Sequence, residues 1–325
     1  MNNAQAIAYA KSALAAWDMP TCTPHLIKNR ENAVFEVVGP QGVRAALRLH
    51  RPGYQTDAAI RSELVWSQGL AQAGMAVPCP LETRNGDVIA PVAAAGRVAS
   101  LVTWSEGVPL GEGGIAFGWD TDELAGLHHA LGAVLAQLHR VSDKLDLPDW
   151  FERPHLNVDS LLGENPLWGR FWENAALSGE ERVLLQEART RLRIDLEQSL
   201  VEGADFGLIH ADALRENVLV QDKTVTLIDF DDGVYGFRLY DLGVAMSQNW
   251  DLPNAVELAA ALYEGYGLEA KSATLVPVFT VMRVLASCGW TIARYAPDDP
   301  TLITYSKRAV TIAKRYLNGQ PIYGV

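Results

Sequence analysis

The sequence predicts an α+β fold in two domains, a small one that mixes strands with helix and a larger one that is mostly helical. Short apolar and β-branched runs between Gly, Pro and Asp residues predict strands within residues 33–50 and 87–103. Beyond residue 104, apolar residues recur mainly at helical spacing. The length of 325 residues also exceeds the usual size of a single hydrophobic core. We therefore predict a first domain of residues 1–104 and a second of residues 105–325.

Composition narrows the class of protein. The chain is 49% hydrophobic and 20% charged, as is typical of proteins with packed cores. Its 27 Lys and Arg against 39 Asp and Glu give a net charge of -12, which argues against a general binder of nucleic acid or of anionic membranes. The acidic balance weakly favours a cationic substrate, although ordinary solubility explains the same charge. No oligomeric state follows from composition.

The cysteines and the N-terminal sequence indicate the cellular compartment of the protein. Cys22, Cys79 and Cys288 are far apart and show no metal-ligand spacing, so we expect free thiols in a reducing compartment. The first residues carry no basic stretch before an apolar core, and no uncharged apolar run reaches the ~18 residues that a membrane span requires. We expect a soluble cytoplasmic protein.

The small domain begins with a predicted helix over residues 1–18. Its apolar face is predicted to consist of Ile7, Ala10, Leu14 and Trp17. A hairpin follows, in which residues 33–38 and 43–50 flank the turn sequence Gly-Pro-Gln-Gly. The remaining elements are a helix over residues 56–73 and strands over residues 87–91 and 97–103.

In the larger domain, leucines at helical spacing predict a core helix over residues 122–139. His128, His129 and His139 on this helix suggest a metal site, but no carboxylate or cysteine stands at a ligand spacing from them, so we favour a packed helix. The further predicted helices span residues 180–200, 240–249, 253–266, 274–295 and 301–317. Five aromatic residues of this region either pack in the core or line a substrate cleft: Trp250, Tyr263, Tyr266, Trp290 and Tyr295.

A second predicted hairpin gathers polar residues. Residues 218–221 and 225–228 read as strands joined by an Asp-Lys turn. If they pair, Asp212, Asn217 and Asp229 converge at one end. Phosphoryl transfer from a nucleotide needs a divalent metal on the phosphates and a carboxylate that orients the incoming hydroxyl. One Asp and one Asn supply oxygen ligands of the kind that Mg²⁺ prefers. Each residue alone could merely close a turn, but the set at this spacing favours phosphoryl transfer.

This segment resembles the aminoglycoside phosphotransferase family, the small-molecule branch of the two-lobed protein-kinase-like fold, and is particularly similar to its homoserine-kinase-like and stress-response-kinase-like members. The family pattern H-x-D-x-x-x-x-N is matched by His210, Asp212 and Asn217, and the family's Ile-Asp-Phe motif by Asp229 and its neighbours. The resemblance implies that Asp212 is the catalytic base, that His210 braces the catalytic loop, and that Asn217 and Asp229 hold Mg²⁺. It further implies that Asp241 supports the loop from below.

The resemblance also assigns nucleotide binding to residues 1–104, and the catalytic loop, metal site and acceptor site to residues 105–325. A strand cation, Arg48 or Arg44, is expected to hold the phosphates and to pair with Glu63 on the following helix. Arg48 is the better aligned, and it is arginine where the family commonly has lysine. A guanidinium binds phosphate bidentately, whereas lysine acts as a point charge, so the substitution keeps the charge and changes the geometry.

Two further nucleotide contacts follow from the resemblance and leave alternatives open. No G-x-G-x-x-G occurs near the first hairpin strand; instead, residues 28–32 form a polar stretch in which Asn29 or Asn32 stands near the phosphates or belongs to a plain surface turn. The linker between the lobes is expected around Trp104, where the backbone and apolar side chains either contact a purine or simply end a core strand.

The function implied is transfer of the γ-phosphate of ATP, with Mg²⁺, to a hydroxyl of a small molecule such as an amino-alcohol or another hydroxylated amine. A Ser/Thr protein kinase and a non-catalytic nucleotide-binding module remain alternatives, and ATP and GTP are not distinguished. Asp231 and Asp232 either face water, add charge near the metal or recognise an amine. Arg215 and Glu216 replace a small or Pro-Gly pair that is common in the family, which either reshapes the acceptor side or has no effect.

Overall fold

A computed structural model describes residues 1–30, 32–201 and 204–324 of the chain. The chain divides into two units, Met1–Glu106 with Lys144–Arg153, and Gly107–Asp143 with Pro154–Val325. The first division falls close to the predicted boundary after residue 104. No sequence pattern predicted that Lys144–Arg153 joins the first unit, where the Glu152 N–H donates to Ser62 Oγ at 2.8 Å. The functions predicted for residues 1–104 and 105–325 stay predictions.

The first unit contains a five-stranded antiparallel sheet with two helices. Its elements are α1 (Asn3–Ala13), β1 (Pro24–Asn29), β2 (Ala33–Val38), β3 (Arg44–Leu49), α2 (Asp57–Gln72), β4 (Ile89–Val92) and β5 (Arg97–Thr103). The strand order is β1-β2-β3-β5-β4. The predicted hairpin is confirmed, since Phe35 lies opposite Leu47 in the β2–β3 ladder. Lys28 and Asn29, predicted to lie in a loop, belong to β1 instead.

Alternation along β3 decides which side chains reach α2. Leu47 and Leu49 are buried in one core with α1, and period-two geometry turns Arg48 to the opposite side. The predicted apolar face of α1 is wrong in part, because Ile7 is 39% exposed. The other three predicted residues, Ala10, Leu14 and Trp17, are buried, and Ala6 and Ala13 complete the buried side of this segment.

The second unit contains most of the helices and two small sheets. Its elements are β6 (Val108–Pro109), α3 (Thr121–Ser142), β7 (His155–Leu156), α4 (Val158–Leu162), α5 (Gly179–Val201), β8 (Phe206–Ile209), β9 (Val218–Gln221), β10 (Thr224–Leu227), β11 (Val234–Phe237), α6 (Arg238–Ser247), α7 (Ala255–Tyr266), α8 (Ala270–Ala273), α9 (Val276–Ile292) and α10 (Pro300–Leu317). The sheets have the orders β10-β9-β6 and β7-β11-β8. Sheets and helices together confirm the α+β prediction.

The main core of the second unit joins α5, α6, α9 and α10 around Phe171, Tyr240 and Phe279, all buried. Trp250 is also buried there, which confirms the core alternative for that residue. One stretch, Ala270–Ile292, is long and apolar enough to cross a membrane by length and composition, and 67% of its most apolar window is buried inside the fold. Core helices pass the same test, so this stretch is weak evidence for a membrane span.

Candidate active site

The β9–β10 hairpin places Asn217 beside Asp229. Its turn residues, Asp222 and Lys223, have φ values of 47° and 66°, the two positive angles of a type I′ turn. At the other end the Ile228 N–H donates to the Asn217 carbonyl at 3.0 Å, so the ladder extends by one pair beyond the strands. Asp229 follows immediately, with a left-handed φ of 65° that is uncommon for a residue other than glycine. The hairpin thus brings the two predicted metal ligands together.

Asp212 is held at both carboxylate oxygens. Arg283 Nη2 donates to Oδ1 at 2.5 Å, and Asn217 Nδ2 donates to Oδ2 at 2.7 Å. The same Asn217 nitrogen lies 2.9 Å from the Asp212 carbonyl. Sequence reasoning missed Arg283, which lies 71 residues further along the chain. Its one detectable sign is that it is the only charged residue in the apolar sequence of α9.

Asp241 supports the start of the catalytic loop, residues 210–217, in the position that the resemblance implied. Its Oδ1 accepts the Ala211 N–H at 2.6 Å, and its Oδ2 accepts the His210 N–H at 2.8 Å and a bond from His139 Nε2 at 3.0 Å. Ala211 has a φ of 61°, and these bonds hold that strained conformation. Burial alone would raise the pKa of Asp241, but its hydrogen bonds with His139 and the His210 N–H hold the pKa below its usual value.

His210 connects the catalytic loop to the residue before Asp229. Its Nε2 donates to the Ile228 carbonyl at 3.0 Å, and its Nδ1 accepts the Asp212 N–H at 3.3 Å. Burial lowers the pKa of His210, which favours this neutral ring with its proton on Nε2. These are the contacts expected of a bracing residue.

The charges around Asp212 suit a divalent cation. Burial raises the pKa of Asp212 well above its usual value, Arg283 opposes that rise, and the charges of Asp232, Asp229 and Glu216 add to it. Four carboxylates against one guanidinium leave an excess of negative charge at the site. Oxygen ligands in an acidic setting are the environment that hard cations such as Mg²⁺ prefer, so the residues present fit such an ion.

Arg215 anchors the second half of the catalytic loop. Its guanidinium donates to Asn249 Oδ1 at 2.8 Å and to the carbonyls of Gln248, Glu112 and Ile115 at 2.8, 3.2 and 2.9 Å. It also lies 3.9 Å from the centre of the Phe117 ring. The departure from the family's small pair therefore ties the loop to residues 112–117 and 248–249.

The histidines of α3 serve structural contacts. His128 is buried, donates from Nδ1 to the Leu124 carbonyl at 2.8 Å and accepts Asn249 Nδ2 at Nε2, at 3.1 Å. His139 Nδ1 lies 2.8 Å from the Tyr266 hydroxyl. His129 is exposed on another face of the helix. His128 and His139 thus both have protein partners, as expected of a packed helix.

In the first unit, the structure separates the two candidate cations. Arg48 Nη1 lies 3.0 Å from Glu63 Oε1, and both side chains are largely buried. Arg44 instead pairs with Glu36 and Glu106, each at 2.7 Å. Arg48 therefore makes the strand-to-helix ion pair that the resemblance implied.

The other predicted nucleotide contacts have local partners. Asn32 Oδ1 accepts the Arg51 N–H at 2.8 Å, which braces the loop after β1. The amide of Asn29 donates to Asn3 at 2.8 Å and so faces the N-terminal segment. The Trp104 ring is covered by the Arg44 guanidinium at 4.2 Å. Their roles toward a nucleotide stay predictions.

Comparison with known proteins gives a consistent result. The family described as "Phosphotransferase enzyme family" matches residues 25–278. Homoserine kinase from Rhizobium etli is 27% identical over 206 residues, covering 61% of this chain and 57% of the relative. Homoserine kinase from Methylorubrum populi is 31% identical over 180 residues, covering 55% and 49%. The matched part of the chain therefore spans about half the length of these curated relatives.

Solved structures extend the likeness over nearly the whole chain. A microcompartment-associated aminopropanol kinase is similar with a TM-score of 0.83 and 27% identity, covering 97% of this chain and 99% of that one. Amicoumacin kinase, solved in complex with AMP-PNP, Ca²⁺ and Ami, is similar with a TM-score of 0.77 and 18% identity, covering 99% of this chain and 95% of that one. The two-lobed, protein-kinase-like fold is thereby confirmed.

Proposed function

The chain belongs to the phosphotransferase enzyme family, and on that premise we propose that it transfers the γ-phosphate of ATP to a hydroxyl of a small, amine-bearing alcohol. The observation that carries the proposal is the fixed carboxylate of Asp212, held by Arg283 and Asn217 beside Asp229. A carboxylate held at both oxygens is suited to orienting one hydroxyl in one direction.

The residues divide the work as follows. Asp212 accepts the hydrogen bond of the acceptor hydroxyl and takes its proton as the new O–P bond forms. The bond from the γ-phosphorus to the bridging oxygen breaks, and ADP leaves with that electron pair. Alignment of the hydroxyl is the main contribution of Asp212. Asn217 and Asp229 would hold Mg²⁺, which offsets phosphate charge when bound.

Nucleotide binding is proposed for the first unit. Arg48, which pairs with Glu63 at 3.0 Å, is proposed to clamp phosphate oxygens bidentately, as arginine does and lysine does not. Asn32 and Trp104 are proposed to contact the nucleotide as well. The cytoplasm, where ATP is abundant, remains the proposed location.

The acceptor class follows from charge and from similarity. The excess of carboxylates around Asp212 favours a cationic group on the acceptor over an anionic one. Kinases similar to this chain act, by name, on homoserine and on aminopropanol. Glu216 and Asp232 supply negative charge close enough to Asp212 to affect its pKa, and an ammonium group would offset it.

The test is Mg²⁺-dependent release of ADP from ATP in the presence of single acceptors: 1-amino-2-propanol, homoserine, ethanolamine, choline, kanamycin and casein. Asp212→Asn removes the carboxylate, and we expect acceptor-stimulated turnover to fall by about 10³-fold. Asp222→Asn is the matched control, because Asp222 is exposed in the turn of the same hairpin and its φ of 47° suits asparagine.

The acceptor that supports turnover distinguishes the proposed function from the two alternative functions. Turnover with one or more amino-alcohols, lost in Asp212→Asn and kept in Asp222→Asn, supports the proposal. Turnover with casein alone would favour a Ser/Thr protein kinase. Binding of ATP without turnover on any acceptor would contradict the proposal and favour a non-catalytic nucleotide-binding module.

A further inference from the structure

Arg283 is an unusual residue for the helix that carries it. It is the only charged residue of α9, and its side chain is 10% exposed. A buried cation is costly unless a partner compensates it. Here Nη2 donates to Asp212 Oδ1 at 2.5 Å, and Nη1 lies 3.4 Å from the Ala211 carbonyl. The guanidinium therefore spans two consecutive residues of the catalytic loop.

The Arg283 guanidinium also contacts an aromatic ring, that of Trp168. Its central carbon lies 5.5 Å from the centre of the Trp168 ring, and that ring stacks on Tyr240 with an angle of 7° between the planes. The Trp168 segment lies directly on α9, because a Cβ at Gly289 would come within 2.8 Å of the Trp168 carbonyl. Arg283 is thus fixed between an aromatic stack and the catalytic loop.

We propose that Arg283 is a positioning residue for phosphoryl transfer, one that fixes the orientation of the Asp212 carboxylate. The inference rests on the proposed function. Arg283 and Asn217 each take one lone pair on opposite oxygens of Asp212, which fixes the plane of the carboxylate. A lone pair on each oxygen remains for the acceptor hydroxyl. No family motif of the sequence contains Arg283.

The contribution is expected in turnover more than in nucleotide binding. Without Arg283, Asn217 holds only Oδ2, and the carboxylate can rotate about its Cβ–Cγ bond. Misplacement of a reacting group by about 1 Å can cost about 10²-fold in rate. Lysine at this position would keep a charge near Oδ1, but a point charge cannot lie flat against Trp168 and reach both loop residues.

The experiment uses the full-length protein with the acceptor that gives the fastest turnover. We expect Arg283→Met to lower kcat by about 10²-fold while the KM for ATP changes by less than about threefold. Arg283→Lys should recover part of kcat. Added guanidinium should restore part of kcat to Arg283→Ala, whereas equimolar sodium chloride should not, and the same additions to the wild type correct for general effects.

Arg308→Met is the matched control. Arg308 pairs with Asp251 at 2.8 Å and lies 5.5 Å from the Trp250 ring, so it repeats the ion pair and ring contact of Arg283, but it donates to Asp251 and Ser247 and not to the catalytic loop. Its loss should lower the melting temperature and leave kcat near that of the wild type.

Three results would overturn the inference: a kcat for Arg283→Met within twofold of the wild type, equal losses of kcat in Arg283→Met and Arg308→Met, or no response of Arg283→Ala to guanidinium. If Arg283→Met does not fold, a wild-type kcat in Arg283→Lys overturns it. Absence of turnover in the wild type with every acceptor contradicts the proposed function itself and is recognised before any variant is compared.

Discussion

The two halves of the catalytic loop are held by different buried networks. In the first half, the N–H groups of His210 and Ala211 donate to the carboxylate of Asp241, which also contacts His139. The second half is held by Arg215, whose guanidinium donates to several carbonyls and to Asn249, and Asn249 contacts His128. We call these the Asp241 network and the Arg215 network.

The two networks are centred on opposite charges, and each holds backbone groups of the catalytic loop in place. In the Asp241 network an anion accepts backbone N–H groups, whereas in the Arg215 network a cation donates to backbone carbonyls. Each includes one histidine of α3, and both histidines lie on the buried face of that helix. A buried charge of either sign can therefore order a loop, provided that the opposing backbone groups surround it.

The largest effect is expected from the Asp241 network. Asp241→Ala leaves two buried N–H groups without their acceptor, and the strain released at Ala211 offsets only part of that cost, so we expect the free energy of unfolding to fall by about 3–5 kcal/mol. Urea unfolding followed by tryptophan fluorescence measures it. A loss below about 1 kcal/mol would show that the first half of the loop does not depend on Asp241.

A slightly smaller effect is expected from the Arg215 network. Arg215→Met keeps the apolar stem and removes the donors, and we expect a loss of about 3 kcal/mol, because the freed carbonyls lie nearer to water than the groups around Asp241. The same urea experiment ranks the two variants. A larger loss for Arg215→Met than for Asp241→Ala would reverse the comparison.

The Arg215 network should also be sensitive to acid through His128. Burial, with a smaller contribution from the Arg215 charge, lowers the pKa of His128 to about 4. The unfolded chain, with a histidine pKa of about 6.5, binds the proton more readily. The contribution of neutral His128 is therefore complete above about pH 6.5 and is lost as the pH falls toward 4, by about 2 kcal/mol at pH 4.5.

Urea unfolding at pH 7 and pH 4.5 checks this prediction in the wild type and in His128→Gln, which keeps an acceptor for Asn249 but does not titrate. The variant should lose less stability on acidification than the wild type. An equal loss in both proteins would place the acid-sensitive group elsewhere.

The smallest effect concerns the strain at Ala211. Glycine adopts a φ of 61° at little cost, so in the Ala211→Gly background there is no strain for Asp241→Ala to release, and that substitution should cost about 1 kcal/mol more than in the wild type. A double-mutant cycle measures this coupling. Arg215→Met combined with Ala211→Gly should be additive, and coupling of equal size there would mean that the two networks are not separate.

The sequence by itself determined the features that depend only on residues close together in the chain. The type I′ turn at Asp222 and Lys223, the strands on either side of it and the spacing from His210 to Asn217 were predictable, because each depends on local backbone preference and side-chain alternation. The convergence of Asn217 and Asp229 follows from the hairpin alone.

Only the tertiary structure decided the contacts between distant segments. Arg283 reaches Asp212 across 71 residues because α9 packs on α6, and no spacing in the sequence encodes that packing. Ile7 alone was wrongly assigned to the buried face of α1, because the alanines that are buried there are weakly hydrophobic and leave the helical pattern ambiguous. The anchoring role of Arg215 likewise depended on which groups the folded chain brings within hydrogen-bond distance.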